Sequence, residues 1–350
     1  MSPAAVSAAT LLVPDDEIVV LCAWASEALD FEQLVGVWAF RREQGWRSGL
    51  SGVLAAPLVP LYEVSSLPVL DRDHAAEVAR ALLRYLLASS DLPHTLRLPL
   101  LPLDSPCQAV LAEACRQTGG EISLYERWVR PVMAPQAGDD LERYLRRALG
   151  SSYKKRMQQF RAVGKQGALT FRRSRGRAAV DALEAFLTLE ASGWKGEAGT
   201  AIACLPADAA YIRRMAELFA ADDSLQIDTL LLDGRVLAMG LLVESGDRRH
   251  FLKIAYDEAQ ARHSPGRTLT IAMLQADLAG TPPAFFDSGA GEHVDAGTYV
   301  WGERREMANA IIRVGPGRPG AAQAAALGRM WLRRLRDAAR ARSARSPRKS

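Results

Sequence analysis

Hydrophobic positions recur along this chain at two spacings, and the spacing changes from segment to segment. Glu17 to Ala23 (EIVVLCA) is a short β-branched run and predicts a strand. Phe31 to Gln44 puts Leu34, Val35, Val37, Trp38 and Phe40 on a broad face and predicts a helix. Leu50 to Val64 reads as extended but is broken by Pro57 and Pro60, which suits an irregular or edge strand because proline gives no N–H to a ladder. Asp73 to Ala88 carries Val78, Leu82, Tyr85 and Leu86 on one helical face, with Asp71 or Asp73 available as a cap. Thr95 to Leu101 is a strand. Ser105-Pro106 opens a helix that stops at Gly119-Gly120, and Glu121 to Met133 is a further strand. The alternation predicts a sheet with helices on its faces.

Pro131 to Gly138 is the linker candidate. Helical sequence follows from Asp139 to about Gly164, interrupted near Gly150, then a strand at Leu169 to Arg173 and a helix from Ala178 to Ser192. Leu225 to Leu232, Arg235 to Glu244 and Arg248 to Asp257 read as three strands of an antiparallel meander. Asp233-Gly234 makes the first turn, because both central positions of a tight hairpin need positive φ. Ser264-Pro265-Gly266 then opens a helix running to about Leu278, and Ala284 to Asp287 is a short strand. The sequence shows no repeat of 20–50 residues.

At 350 residues, 49% hydrophobic and 24% charged, the chain is sized for two globular domains. The boundaries expected are 1–135, 136–320 and a basic tail over 321–350. No apolar run reaches the ~18 residues a membrane helix needs, and Met1 to Thr10 lacks a basic leader, so a cytoplasmic location is expected. Cys22, Cys107, Cys115 and Cys204 have neither Cys-x-x-Cys nor zinc spacing. They read as buried or partly buried free thiols, and no metal site is expected. Trp24, Trp38, Trp46 and Trp128 read as core or domain-interface residues, and Trp194 and Trp301 as packing residues.

Charge is unevenly placed. Arg329 to Ser350 holds nine Lys/Arg and one Asp, or +8 in a chain of net charge +4, so the remainder carries −4. Arg143 to Arg177 holds twelve Lys/Arg and no acid. The second block reads as a solvated helix face, with an anionic ligand as the alternative; it lacks the interleaved aromatics of a nucleic-acid site. The tail suits solubilisation or contact with a membrane surface.

The segment Lys253 to Leu269 concentrates the chemistry. A strand delivers the chain to a short loop, and a helix begins at Pro265. First-turn N–H groups and the helix dipole attract anions. Gly266 lets a phosphate approach the backbone, and Arg262 and Arg267 add positive charge. Together they make a candidate pyrophosphate cradle; an ordinary capped helix is the plainer alternative.

Four stretches in this order resemble the GCN5-related N-acetyltransferase (GNAT) superfamily: Leu189-Glu190-Ala-Ser-Gly-Trp194-Lys195-Gly196; the hairpin at Asp233-Gly234; Phe251 to Asp257 leading into Ser264-Pro265-Gly266; and Phe286-Asp287-Ser-Gly-Ala. The resemblance spans about 140–313. It is nearest to acetyltransferase-like proteins of cellulose and exopolysaccharide biosynthesis, distant relatives of Fem-type aminoacyltransferases. It implies an α/β fold of two tandem GNAT-like domains, with mixed, mostly antiparallel sheets flanked by helices and a degenerate first domain. It implies acetyl-CoA or another acyl-CoA as co-substrate, held by Ile254, Ala255, Tyr256, Arg262, Ser264, Pro265, Gly266, Arg267, Thr268 and Leu269. The implied acceptor is an amine or hydroxyl, such as a saccharide or cell-envelope precursor. Many relatives carry a Tyr-Lys pair after the last short strand, whereas here Tyr299 is followed by Val300.

Acyl transfer needs a base for the nucleophile and donors for the developing oxyanion. Asp287 at a strand end, His293, which titrates near neutrality, and Glu190 at a helix end are the candidates. Each also has a structural alternative: Glu190 paired with Lys195, His293 at the surface, Asp287 as a substrate anchor. Two rival functions share the fold: a Fem-like transferase using aminoacyl-tRNA, and an inactive scaffold in polysaccharide biosynthesis.

Overall fold

The computed structural model describes residues 3–26, 32–43, 52–291 and 299–317, together with positions 324 and 328. His293, Trp46 and the basic segment 329–350 lie outside the described residues. The described strands are β1 (Ile18–Ser26), β2 (Glu32–Glu43), β3 (Val53–Ala55), β4 (Val69–Leu70), β5 (Thr95–Pro102), β6 (Glu121–Met133), β7 (Leu169–Arg175), β8 (Leu225–Leu232), β9 (Arg235–Ser245), β10 (Arg248–Tyr256), β11 (Phe285–Asp287) and β12 (Glu303–Arg313). They form one sheet in the order β1-β2-β3-β5-β12-β6-β11-β10-β9-β8-β7, with β4 on β2. Neighbours are antiparallel except β3–β5 and β10–β11. The described helices are α1 (Pro3–Ala9), α2 (Ala75–Ala88), α3 (Pro106–Gln117), α4 (Leu141–Leu149), α5 (Tyr153–Gly164), α6 (Gly176–Ala191), α7 (Trp194–Glu197), α8 (Pro206–Ala221) and α9 (Pro265–Ala279). None of them is long and apolar enough to cross a membrane.

This is the expected mixed, mostly antiparallel α/β architecture, and the two halves share the sheet. β12 follows the second half in sequence but lies between β5 and β6 of the first, paired along its length from Glu303 to Arg313. β6 reaches the second half by pairing Val132 and Met133 with β11. Three apolar clusters cover the faces. One joins α2 and α3 to the first-half strands. One lies under α6 and α8 and takes in Ala8 and Ala9 of α1, with Leu58, Val59 and Tyr62 of the loop after β3. The third holds α4, α5 and α9 against the opposite face of the second half, around Trp301.

Five expectations are corrected here. Residues 32–43 form a strand, not a helix. Val35, Val37, Trp38 and Phe40 are strand formers, and β2 is buried on both faces over Val35 to Phe40, so the period-2 signal is lost. The extended stretch after Leu50 is not an edge strand: β3 is interior, between β2 and β5, and the prolines follow it. Pro131 to Met133 belong to β6, so the connection to the second half begins at Ala134. Cys22 and Cys204 are exposed, while Cys107 is half-buried and Cys115 buried. Trp24 and Trp194 are exposed; Trp38 and Trp301 are buried.

The β2–α2 contact is close because Gly36 has no side chain. A Cβ there would overlap Val78 Cγ1 of α2. Gly36→Ala is expected to destabilise by about 1–3 kcal/mol, the usual cost of overpacking a core. A chemical-denaturation midpoint equal to the parent's would show that α2 shifts at no cost.

Candidate active site

β10 pairs with β9 along its whole length, with a bulge between Phe251 and Lys253. On its other edge it pairs with β11 over three residues only, Arg248–His250 against Phe285–Asp287. Past that point the chain turns away. Gly289 sits at φ +63°, close against the Phe251 carbonyl oxygen, where any side chain would collide. From Phe251 to Tyr256 this edge of β10 has no ladder partner among the described residues. The result is a wedge lined by peptide N–H and C=O groups, the donors and acceptors an extended amide-bearing chain could pair with.

The mouth of the wedge meets the start of α9. Ser264 is left-handed (φ 51°, ψ 58°), which turns the chain sharply into the helix at Pro265. Ile254, Tyr256, Ser264, Gly266, Arg267 and Tyr299 line a cavity of about 260 Å³ there. The Gly266 N–H lies in the first turn and has no intrahelical carbonyl. A Cβ on Gly266 would come within 3.1 Å of Ile254 Cδ1, so the strand and helix N-terminus are already in contact. Arg262 is exposed, its Nε donating to His263 Nε2 at 2.8 Å. Lys154, Lys155 and Arg161 on α5 are exposed, and Gln166 beyond its end meets His263 Nδ1 at 3.2 Å. Arg267 lines this end of the wedge and Arg262 lies beside it, while Asp257 and Glu258 begin the same loop.

Not every expected ligand residue offers its side chain. Ala255 points into the α6–α8 cluster and Leu269 into the α9 cluster. The Thr268 hydroxyl donates to the Ser264 carbonyl at 3.2 Å and its N–H to the same oxygen at 3.0 Å. Only backbone groups of Ala255 and Leu269 remain for a ligand.

Asp287 is fully buried, and both oxygens are occupied. Arg130 Nη1 donates at 3.4 and 3.5 Å, Arg305 Nη1 at 3.2 Å, and the Gly289 N–H at 2.9 Å. Arg130 also donates to the Ala290 and Val64 carbonyls, and Arg305 to Asp104. Burial holds the Arg130 guanidinium below its ordinary pKa, with Asp287 opposing the shift. Asp287 thus ties β11 to β6, β12 and the loop at Val64. Glu190 is also buried and engaged: Lys195 donates to Oε1 at 3.0 Å and the Ile202 N–H to Oε2 at 3.0 Å. Lys253 Nζ lies 3.9 Å from the same carboxylate, and burial lowers its pKa.

On the opposite face of β10 is a second cavity, of about 540 Å³, between α8 and the loop after β3. Tyr62 and Glu63 of that loop, Tyr211 of α8 and Asp222 just past its end, and His250 and Leu252 of β10 line it. Tyr62 stacks on Tyr211 with ring centroids 5.2 Å apart and donates to Asp208 at 2.5 Å. Burial pushes the Glu63 carboxyl up to about 7, although the Val59 N–H donates to it at 2.8 Å. Burial pushes His250 down to about 4, so its ring is neutral at pH 7, and its buried Nδ1 has no partner among the described residues. Sequence reasoning missed Glu63, Arg130 and His250. A lone acid in a proline-broken loop and two polar residues in strands carry no local signal.

Residues 151–295 match the family described as Acetyltransferase (GNAT) domain, which runs from the start of α5 through β11. No curated protein sequence matches the chain. Among solved structures, the chain resembles FemX at 11% identity, covering 89% of this chain and 90% of that one, with a TM-score of 0.58. It also resembles the C-terminal domain of a lysylphosphatidylglycerol synthetase candidate from Agrobacterium fabrum at 14% identity, covering 91% and 88%, with a TM-score of 0.54. At such identities the likeness is one of fold.

Proposed function

We propose that this chain, an acyltransferase by its GNAT domain, moves an acyl group from acyl-coenzyme A to an amine or hydroxyl acceptor in a direct ternary complex. The observation that carries the proposal is the three-residue β10–β11 ladder opening beside the α9 N-terminus. The pantetheine arm has two amide groups, and the open edge from Phe251 to Tyr256 offers them strand-like partners. The coenzyme's pyrophosphate suits the first turn of α9, where peptide dipoles and nearby cations favour negative charge. The thioester then lies near the bulge at Leu252, the acceptor approaching from the opposite face of β10. In this proposal Asp287 and Glu190 are positioning groups. Asp287 holds the wedge's short strand, and Glu190 holds Lys195 and the turn at Ile202. His293 stays a candidate of the sequence alone. A saccharide or cell-envelope precursor remains the acceptor class suggested by the resemblance.

The first test is thermal unfolding with and without acetyl-CoA. A ligand that binds only the folded chain at a hundredfold excess over Kd adds about 2.7 kcal/mol. A shift of that order is expected. No shift at millimolar coenzyme would sink the proposal, and salt-sensitive binding of tRNA would then favour an aminoacyl-tRNA donor.

A further inference from the structure

The cavity on the α8 face of β10 carries an inference about the acceptor, and it rests on the acyl-transfer proposal above. We infer that this cavity is the acceptor subsite for a cationic amine, and that Glu63 takes the proton the amine must lose before it attacks.

Three observations bear on it. The first is charge. Glu63, Asp222 and Glu244 line the cavity, and among the described residues neither Lys nor Arg does. Glu244 is already neutralised by Arg175 at 2.9 Å and Arg249 at 2.7 Å. Among the described residues Glu63 and Asp222 have no ion-pair partner. The Tyr62 ring, stacked on Tyr211, already carries Lys253 Nζ 5.5 Å from its centroid, so the carboxylates rather than the rings set the charge preference. Of the other titratable groups on the wall, His250 of β10 is neutral, and burial raises the Tyr62 and Tyr211 hydroxyls, so they too stay uncharged at pH 7. A cation is therefore favoured here and an anion disfavoured.

The second is position. His250 and Leu252 both line this cavity; His250 is the last residue of the β10–β11 ladder, and Phe251 between them is the first past it. The cavity thus opens onto the strand at the apex of the wedge, from the side opposite the α9 cradle. Val64, next to Glu63, is tied there as well: its carbonyl accepts from Arg130 at 2.8 Å, and its Cγ1 would lie 3.8 Å from a Cβ placed on Gly289.

The third is proton affinity. Glu63 is surrounded by protein yet keeps part of its surface open to the cavity. A carboxyl held near 7 can accept a proton at neutral pH and release it again to solvent. In the step, the ammonium gives one proton to Glu63 and its lone pair attacks the thioester carbonyl, forming the C–N bond. The tetrahedral adduct collapses with cleavage of the C–S bond. The second proton on nitrogen leaves with the sulfur, so the products are an amide and the free thiol.

The test uses the full chain and three probes of one shape: 2-phenylethylamine, 2-phenylethanol and phenylacetate. Calorimetry without coenzyme is expected to show the amine binding at least tenfold tighter than the alcohol, and phenylacetate weaker than either. Glu63→Gln should bring amine and alcohol within about twofold while keeping the acetyl-CoA shift. Asp222→Asn changes an exposed rim residue and should weaken the amine but not the alcohol, which keeps the test decisive if Glu63→Gln does not fold. With acetyl-CoA present, amine-dependent thiol release should rise with pH through about 7 in the parent, a limb absent from Glu63→Gln. Equal binding of amine and alcohol, or an amine preference that survives Glu63→Gln, overturns the inference. Amine preference without a coenzyme shift would instead remove the acyl-CoA proposal and leave the amine site standing.

Discussion

Replacing Asp287 with alanine is expected to lower the unfolding free energy by about 3–5 kcal/mol, the usual cost of leaving buried charges without their partner. The carboxylate is the counter-charge of two guanidinium groups, Arg130 and Arg305, with side chains 1% and 11% exposed. Arg130 already carries one buried nitrogen, Nη2, without a partner among the described residues. Removing Asp287 strands the remaining charge in the same place. The variant also frees the Gly289 N–H, which Asp287 holds at 2.9 Å, so the apex of the wedge should loosen. Asp287→Asn keeps the shape and part of the hydrogen bonding and should cost less. Denaturant unfolding of the two variants measures this directly. A stable Asp287→Ala protein with abolished turnover would contradict the positioning role and return Asp287 to the chemistry.

Gly266→Trp should remove coenzyme binding while leaving the fold largely intact. Gly266 is half-buried at the mouth of the 260 Å³ cavity, and its φ is negative, so the backbone tolerates a side chain. An indole would occupy the volume proposed for the pyrophosphate and cover the first turn of α9. Weakening the affinity a hundredfold would reduce a stabilisation of about 2.7 kcal/mol to about 0.4 kcal/mol at the same coenzyme concentration. Gly266→Ala meets only Ile254 Cδ1 at 3.1 Å, the end of a movable side chain, and should retain most of the shift. An undiminished acetyl-CoA shift in Gly266→Trp would place the coenzyme elsewhere.

The second half was largely legible because its elements obey local rules. The Asp233-Gly234 turn adopts φ of 49° and 76°, as the hairpin requires, and the meander it begins follows as expected. The α9 start at Ser264-Pro265-Gly266 was readable because proline suits a first helical turn and Gly266 leaves the cradle open. β2 was misread because neighbours bury both of its faces, which erases the alternation that distinguishes a strand.

The sequence by itself determined much of the alternation of elements, the helix that opens at Ser264-Pro265-Gly266, and the short strand ending at Asp287. These depend on residues within a few positions of one another. Only the tertiary structure decided that β12 lies between strands formed some 200 residues earlier, and that β10 and β11 part after three pairs. It alone brought Glu63 of the first half to the face of β10 that His250 lines. Such juxtapositions arise from burying apolar faces and pairing strand edges across the whole chain; local spacing records that a face is apolar, not which distant face or edge it meets.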